Sequence, residues 1–136
     1  MSPASYIKLQ SVFPLLAVSD DEEDHSLLHR ILHLDCRLHG AAGRRDALLS
    51  IRRCRPWVVV CDQTLADGDW RDLLSDLQNV QLMPPLIVSS RLVDGRLWAE
   101  VFNLGGYDLL TKPFAATEVR RVVKLAAHRG SKNGLC

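Results

Sequence analysis

The sequence predicts an α/β fold in which a parallel β-sheet is covered by helices on both faces. Two patterns alternate along the 136 residues. Short, nearly continuous apolar runs have the length of strands, and the segments between them carry apolar residues at helical spacing. A strand buried on both faces does not alternate polar with apolar side chains, so these runs favour a parallel sheet between two helical layers. The alternation predicts five βα units.

Three predicted strands are strongly apolar and two are weaker. The strong ones are PLLAV (14–18), WVVVC (57–61) and PLIVS (85–89), and the weaker ones lie around 38–41 and 108–110. Each is followed by an amphipathic segment, with apolar positions at Leu27, Leu28, Ile31 and Leu32; Ala47, Leu48 and Ile51; Leu73, Leu74 and Leu77; Leu97, Val101 and Leu104; and Val119, Val122, Val123 and Ala126. Gly105 and Gly106 are expected to end the fourth helix.

The composition is that of one globular domain, which we assign to residues 13–128. Residues 1–12 are then an N-terminal extension and residues 129–136 a C-terminal tail. The chain is 47% hydrophobic and 24% charged, with a net charge of +1, so no overall field favours nucleic acid or an anionic membrane. No apolar run is long enough to span a bilayer and no secretion signal opens the chain, so we expect a cytoplasmic, single-domain protein.

Reactive side chains follow the predicted strands at the points where they end. Ligands of open parallel sheets bind beyond the carboxyl ends of the strands, so these positions are the place to look for chemistry. They hold an acid row after the first strand, an aspartate after the third, two hydroxyls after the fourth and an ammonium group after the fifth. The residues are Ser19, Asp20 and Asp21; Asp62; Ser89 and Ser90; and Thr111, Lys112 and Pro113.

This ordered set resembles the receiver domain of two-component response regulators, of the CheY-like type, over roughly residues 13–128. VVVCDQTLADGDW resembles the segment with the phosphoacceptor aspartate, LIVSS the segment with the Ser/Thr switch, and GGYDLLTKPF the segment with the phosphoryl-contacting lysine and a proline that is usually cis. The resemblance implies a flavodoxin-like, doubly wound (βα)5 three-layer sandwich. It also implies the strand order 2-1-3-4-5.

The resemblance also implies roles for these residues. Asp62 would accept a phosphoryl group from a histidine kinase or a histidine phosphotransfer protein, Ser89 would be the switch hydroxyl, and Lys112 would contact the phosphoryl group. Mg²⁺ would bind to Asp20, Asp62 and the backbone carbonyl of Thr64. The protein would act on no substrate beyond its own phosphorylation and dephosphorylation. The last βα units would form the surface for a downstream protein target, and they are also a candidate homodimer surface.

The acidic row after the first strand departs from the usual pattern of two adjacent acids. Counting back from Leu27 and Leu28 places the pair at Ser19 and Asp20, and an alternative register places it at Asp20 and Asp21. In the preferred register Ser19 is a weak or absent metal ligand, so Mg²⁺ binding is weakened. We interpret the acids at positions 21–24 as helix caps and first-turn charges.

Two further hypotheses remain open at this stage. Ser19, together with Ala66 in place of a usual proline, would suit a degenerate pseudo-receiver that binds proteins or dimerises without phosphorylation. A small phosphotransferring or phosphatase-type enzyme could use the same scaffold, although no second nucleophile supports it.

His25, His29 and His33 recur every four residues, and we interpret them as a solvated helix face rather than a metal site.

Overall fold

Strands and helices alternate along the computed structural model, which describes residues 12–80 and 83–134. The elements are β1 (Phe13–Val18), α1 (Glu22–Leu32), β2 (Cys36–Ala41), α2 (Arg44–Cys54), β3 (Val58–Asp62), β4 (Thr64–Leu65), β5 (Gly68–Asp69), α3 (Trp70–Leu77), β6 (Leu86–Ser90), α4 (Gly95–Leu104), β7 (Asp108–Thr111) and α5 (Ala116–Gly134). Each of the five strands predicted from the sequence is present, with its ends shifted by at most two residues. None of the described helices combines the length and the apolar character needed to cross a membrane.

Five strands form one parallel sheet in the order β2-β1-β3-β6-β7, and β4 and β5 form a separate two-stranded antiparallel ribbon. With the ribbon set aside, this order is the predicted 2-1-3-4-5. The flavodoxin-like, doubly wound fold is therefore confirmed. The central strand, β3, pairs with β1 on one side and β6 on the other.

Two apolar clusters hold the helices against the sheet, one on each face. In β1, Leu15 belongs to the cluster that includes α1 and α5, whereas its neighbour Leu16 belongs to the cluster that includes α2, α3 and α4. Successive strand residues point to opposite faces, so both faces of β1 are buried. This packing explains why the strand sequences are continuously apolar.

The last helix is longer than the sequence suggests. It continues to Gly134, through most of the segment 129–136 that we assigned to a tail, and it passes close to the start of β3. An added Cβ at Gly130 would collide with the carbonyl oxygen of Trp57. Of the predicted N-terminal extension, residues 1–11 lie outside the described residues.

Candidate functional site

The carboxyl ends of β3, β6 and β7 bring the predicted site residues to one edge of the sheet. Asp62 at the end of β3 is in register with Ser89 of β6. Ser90 is in register with Thr111 of β7, and the Lys112 backbone N–H donates to the Ser90 carbonyl at 2.9 Å. An aspartate, a serine and a lysine that are far apart in sequence therefore share one pocket, as parallel strands require.

Lys112 is the buried cation of this pocket, with 8% of its surface exposed. Its Nζ lies 3.0 Å from Asp62 Oδ1 and 2.6 Å from Asp24 Oδ2. Burial disfavours the charged lysine, but the hydrogen bonds to Asp24 and Asp62 outweigh that effect and raise the pKa of Lys112 overall. The following peptide bond, Lys112–Pro113, is cis, as the resemblance implied.

Asp24 is the pocket residue that the sequence reasoning missed. We expected a solvated first-turn charge, and this interpretation was wrong, because only 4% of Asp24 is exposed. Its Oδ2 accepts hydrogen bonds from the Ser19 hydroxyl at 2.8 Å and from Lys112 at 2.6 Å. The missed signal was helical spacing: the buried residues of α1 are Asp24, Leu28 and Leu32, one every four residues.

Ser19 and the acids beside it have separate environments. Ser19 is buried, and its Oγ accepts the Asp21 backbone N–H at 3.1 Å. Asp21 is the N-cap of α1, and its carboxylate accepts the Glu23 N–H at 2.9 Å. Asp20 is exposed, and its carboxylate has no hydrogen-bond partner among the described residues. In this structure Asp21 is therefore occupied as a cap, whereas Asp20 is free to bind a ligand.

The three histidines of α1 do not share one environment. His29 and His33 are exposed and their rings stack with centroids 5.7 Å apart, which fits a solvated face. His25 is half-buried, and its Nε2 lies 2.8 Å from the Ser19 carbonyl oxygen. Since a carbonyl only accepts, His25 must donate from Nε2, and it fixes the backbone that carries Ser19.

Thr64 lies on the short ribbon that follows Asp62. At the turn of the ribbon, Asp67 accepts the backbone N–H groups of Arg44 at 2.8 Å and Arg45 at 3.2 Å. These two hydrogen bonds are the main reason that the pKa of Asp67 is lowered. At the end of the ribbon, Asp69 caps α3 and forms a capping box with Asp72. The start of α2 and the start of α3 thus fix the ribbon, and with it the position of Thr64.

The two serines at the end of β6 differ in their hydrogen bonds. The Ser90 hydroxyl donates to the Gln63 side chain and accepts the Leu92 N–H at 3.0 Å. Ser89 is 2% exposed, and its hydroxyl makes no hydrogen bond to any described residue. Ser89 is therefore the hydroxyl that remains available for a ligand opposite Asp62.

The donor set of the pocket consists of oxygen atoms. Asp20 and Asp62 offer carboxylates and Thr64 offers a carbonyl, which suits a hard cation such as Mg²⁺ better than a zinc-type ion. In the described part of the chain, no three His, Cys, Asp or Glu side chains are grouped so as to hold a metal ion. A cation here would therefore need backbone and water oxygens beside the two carboxylates.

Known proteins resemble this chain in sequence and in fold. No family model matches the sequence. The chain is 27% identical over 118 residues to the KDP operon transcriptional regulatory protein KdpE of Escherichia coli, covering 86% of this chain and 52% of that protein. A second curated relative, the transcriptional regulatory protein KdpE of Staphylococcus aureus, is 28% identical over 108 residues. The chain spans about half the length of these curated relatives.

Solved structures show the same fold. A signal receiver domain from Vibrio parahaemolyticus superposes with a TM-score of 0.83 at 22% identity, covering 90% of this chain and 95% of that chain. The receiver domain of the Francisella response regulator 1452 superposes with a TM-score of 0.77 at 26% identity, covering 86% and 98%. The fold is thus that of receiver domains. The predicted resemblance to the receiver domain of two-component response regulators is confirmed.

Proposed function

We propose that this receiver domain accepts a phosphoryl group on Asp62 from the phosphohistidine of a histidine kinase or a histidine phosphotransfer protein. The observation that carries the proposal is the position of the Lys112 ammonium, 3.0 Å from the Asp62 carboxylate in a largely buried pocket. An attacking carboxylate and a phosphoryl group are both negatively charged, so the reaction needs a cation at this point. Ser89, in register with Asp62, adds an unoccupied hydroxyl on the neighbouring strand.

In the proposed reaction an oxygen of the Asp62 carboxylate attacks the phosphorus atom of phosphohistidine. The new P–O bond forms as the P–N bond breaks, and the imidazole leaves with the bonding electron pair and takes up a proton. Lys112 neutralises charge on the phosphoryl oxygens throughout, and no oxidation or reduction takes place. Water later hydrolyses the acyl phosphate, so the protein catalyses only its own phosphorylation and dephosphorylation.

We propose that Asp20, Asp62 and the Thr64 carbonyl hold Mg²⁺ for this reaction. When bound, the ion supplies further neutralisation of phosphoryl charge. The exposed, unpaired carboxylate of Asp20 and the fixed ribbon that carries Thr64 support the assignment. Ser19 contributes no charge, so we propose that it is a weak or absent Mg²⁺ ligand, and that this position attracts the ion less strongly than the acid that is usual there.

We further propose that phosphorylation acts as a switch on protein contacts, in the cytoplasm. The free Ser89 hydroxyl would donate to a phosphoryl oxygen, and the loop after β6 would follow its strand. The surface formed by the last βα units would then bind a downstream protein or a second copy of the chain. The relatives named as transcriptional regulators favour a regulatory target, and the domain itself would make no direct nucleic-acid contact.

The test is phosphorylation by a small donor. Wild type and Asp62→Asn are incubated with phosphoramidate, whose P–N bond resembles that of phosphohistidine, with and without Mg²⁺. We expect intact-mass spectra to show one added phosphoryl group on the wild type with Mg²⁺ and none on Asp62→Asn. If a receiver known to be competent is labelled in parallel and this wild type is not, the proposal fails, and a phosphorylation-independent binding module becomes the better explanation.

A further inference from the structure

We propose that Asp24 is a positioning residue, which supplies the pocket charge that Ser19 lacks and holds the Lys112 ammonium against Asp62. The proposal rests on the function proposed above. Its basis is the geometry of a single carboxylate oxygen, Asp24 Oδ2, which contacts both Ser19 Oγ and Lys112 Nζ.

The burial of Asp24 needs an explanation. It lies in the first turn of α1, and the neighbouring first-turn acids Glu22 and Glu23 are exposed, which is where such charges are favourable at little cost. A carboxylate withdrawn from water is costly unless it is paired and hydrogen-bonded. Among the residues that the structure describes, the Asp24 carboxylate meets this condition only through Ser19 and Lys112, so its location is tied to the pocket.

The contacts of Lys112 leave one donor for a ligand. An ammonium group has three N–H donors, and two of them are used by Asp24 and Asp62. Because Nζ is held by two carboxylates from different elements, one in α1 and one in β3, the remaining N–H has a restricted direction. A phosphoryl group on Asp62 would meet an ammonium that is already placed, which lowers the cost of ordering a flexible lysine during the reaction.

Ser19 and Asp24 together place a negative charge in the pocket at a different position from that of the usual acid. The Ser19 hydroxyl donates to Asp24, so the carboxylate lies beside the side chain that stands at the first acidic position. Without Asp24, a neutral serine at that position would leave Asp62 as the one carboxylate among the described residues that pairs with the lysine. Asp24 adds a second carboxylate to the lysine from five residues beyond Ser19.

The experiment transfers the negative charge from position 24 to position 19. Mg²⁺ is titrated into the unphosphorylated protein by calorimetry, and the rate of phosphoramidate labelling is measured separately, for wild type, Asp24→Asn and Ser19→Asp/Asp24→Asn. We expect Asp24→Asn to raise the Kd for Mg²⁺ about tenfold and to slow labelling about tenfold, the usual scale for losing a supporting carboxylate. Adding Ser19→Asp should bring both values to within about threefold of wild type.

The rescue separates positioning from a merely structural role. A folded Asp24→Asn variant with wild-type Kd and labelling rate would overturn the inference, and so would a loss that Ser19→Asp does not restore. If Asp24→Asn does not fold, Ser19→Asp/Asp24→Leu is the deciding variant, and we expect it to fold and to bind Mg²⁺. If it folds but does not bind Mg²⁺, the inference is overturned as well. A wild type that binds Mg²⁺ but is never labelled refutes the proposed function instead, and the calorimetry still tests Asp24.

Discussion

Lys112 lies closer to Asp24 than to Asp62, with Nζ–Oδ distances of 2.6 Å and 3.0 Å. The ion pair with Asp24 joins residues 88 positions apart, from the first helix to the end of the last strand. Both partners are almost fully buried. The pocket is therefore part of the framework that stabilises the fold, and its residues should affect stability as well as chemistry.

The first prediction concerns the loss of the ammonium group. Lys112→Met leaves two carboxylates without their shared cation, and breaking a buried pair by removing one partner is strongly destabilising. Because Asp62 is partly exposed, we expect a loss of about 2–3 kcal/mol in the free energy of unfolding. Urea denaturation at pH 7 without Mg²⁺ measures it.

Lys124→Met is the matched control for this substitution. Lys124 Nζ lies 3.7 Å from Asp35 Oδ1, and 57% of the lysine side chain is exposed. Solvent-exposed pairs contribute little, so the expected change is below about 0.5 kcal/mol. Equal effects of the two substitutions would show that the pocket pair is not a stabilising contact.

The second prediction ranks the two carboxylates. The Asp24 side chain is 6% exposed and the Asp62 side chain is 18% exposed. Asp24→Asn weakens two hydrogen bonds in the more buried position, so we expect a loss of about 2 kcal/mol, whereas Asp62→Asn should cost about 1 kcal/mol or less because Lys112 keeps its closer partner. Thermal and urea unfolding of both variants give the order. The reverse order would mean that Asp62, rather than Asp24, anchors the lysine.

The sequence predicted the sheet well because strands that are buried on both faces are almost continuously apolar. The runs ending at Val18, Cys61 and Ser89 could hardly be solvated, and the structure places them in strands β1, β3 and β6. Helix packing was equally visible where apolar residues recur every three or four positions. The position of Lys112 beside Asp62 followed from the rule that parallel strands end at the same edge.

Asp24 shows what this reasoning did not detect. It stands in a row of acids, and the composition of that row indicated caps and solvation, whereas the spacing from Leu28 indicated a buried position. The two signals disagreed, and whether Asp24 is buried depends on a partner 88 residues away that only the folded chain provides. The end of α5 was missed for a similar reason, since packing against β3 sustains a helix through a segment of weak helical propensity.

The third prediction concerns the packing of α5 on β3. Gly130→Ala would place a Cβ in collision with the Trp57 carbonyl oxygen, and backbone atoms on both sides cannot move aside easily. We expect a loss of about 2–3 kcal/mol in the free energy of unfolding. Gly95→Ala is the control, because a Cβ there meets no atom within 4 Å. It should change stability by about 0.5 kcal/mol or less, or increase it slightly. A Gly130→Ala variant as stable as Gly95→Ala would show that α5 does not pack this closely.

The fourth prediction concerns alkaline pH and the two buried thiols. Burial, with a smaller effect from the charge of Asp35, raises the pKa of Cys36 to about 12. Burial likewise raises the pKa of Cys61, and Asp62 adds to the effect. An unfolded cysteine has a pKa of about 8.5, so above that pH the unfolded chain releases thiol protons that the native protein keeps. The unfolded state then binds fewer protons than the native state, and stability falls as pH rises.

The fall of the free energy of unfolding with rising pH defines a slope whose size and origin can be tested by substitution. Between pH 8.5 and pH 10, each buried thiol should lower the free energy of unfolding by about 1–2 kcal/mol. Cys36→Ala/Cys61→Ala should remove most of that slope, although it lowers stability at pH 7 by creating cavities. Urea unfolding at several pH values gives the comparison. A slope that survives in Cys36→Ala/Cys61→Ala must come from other groups, and the assignment to the thiols would then be wrong.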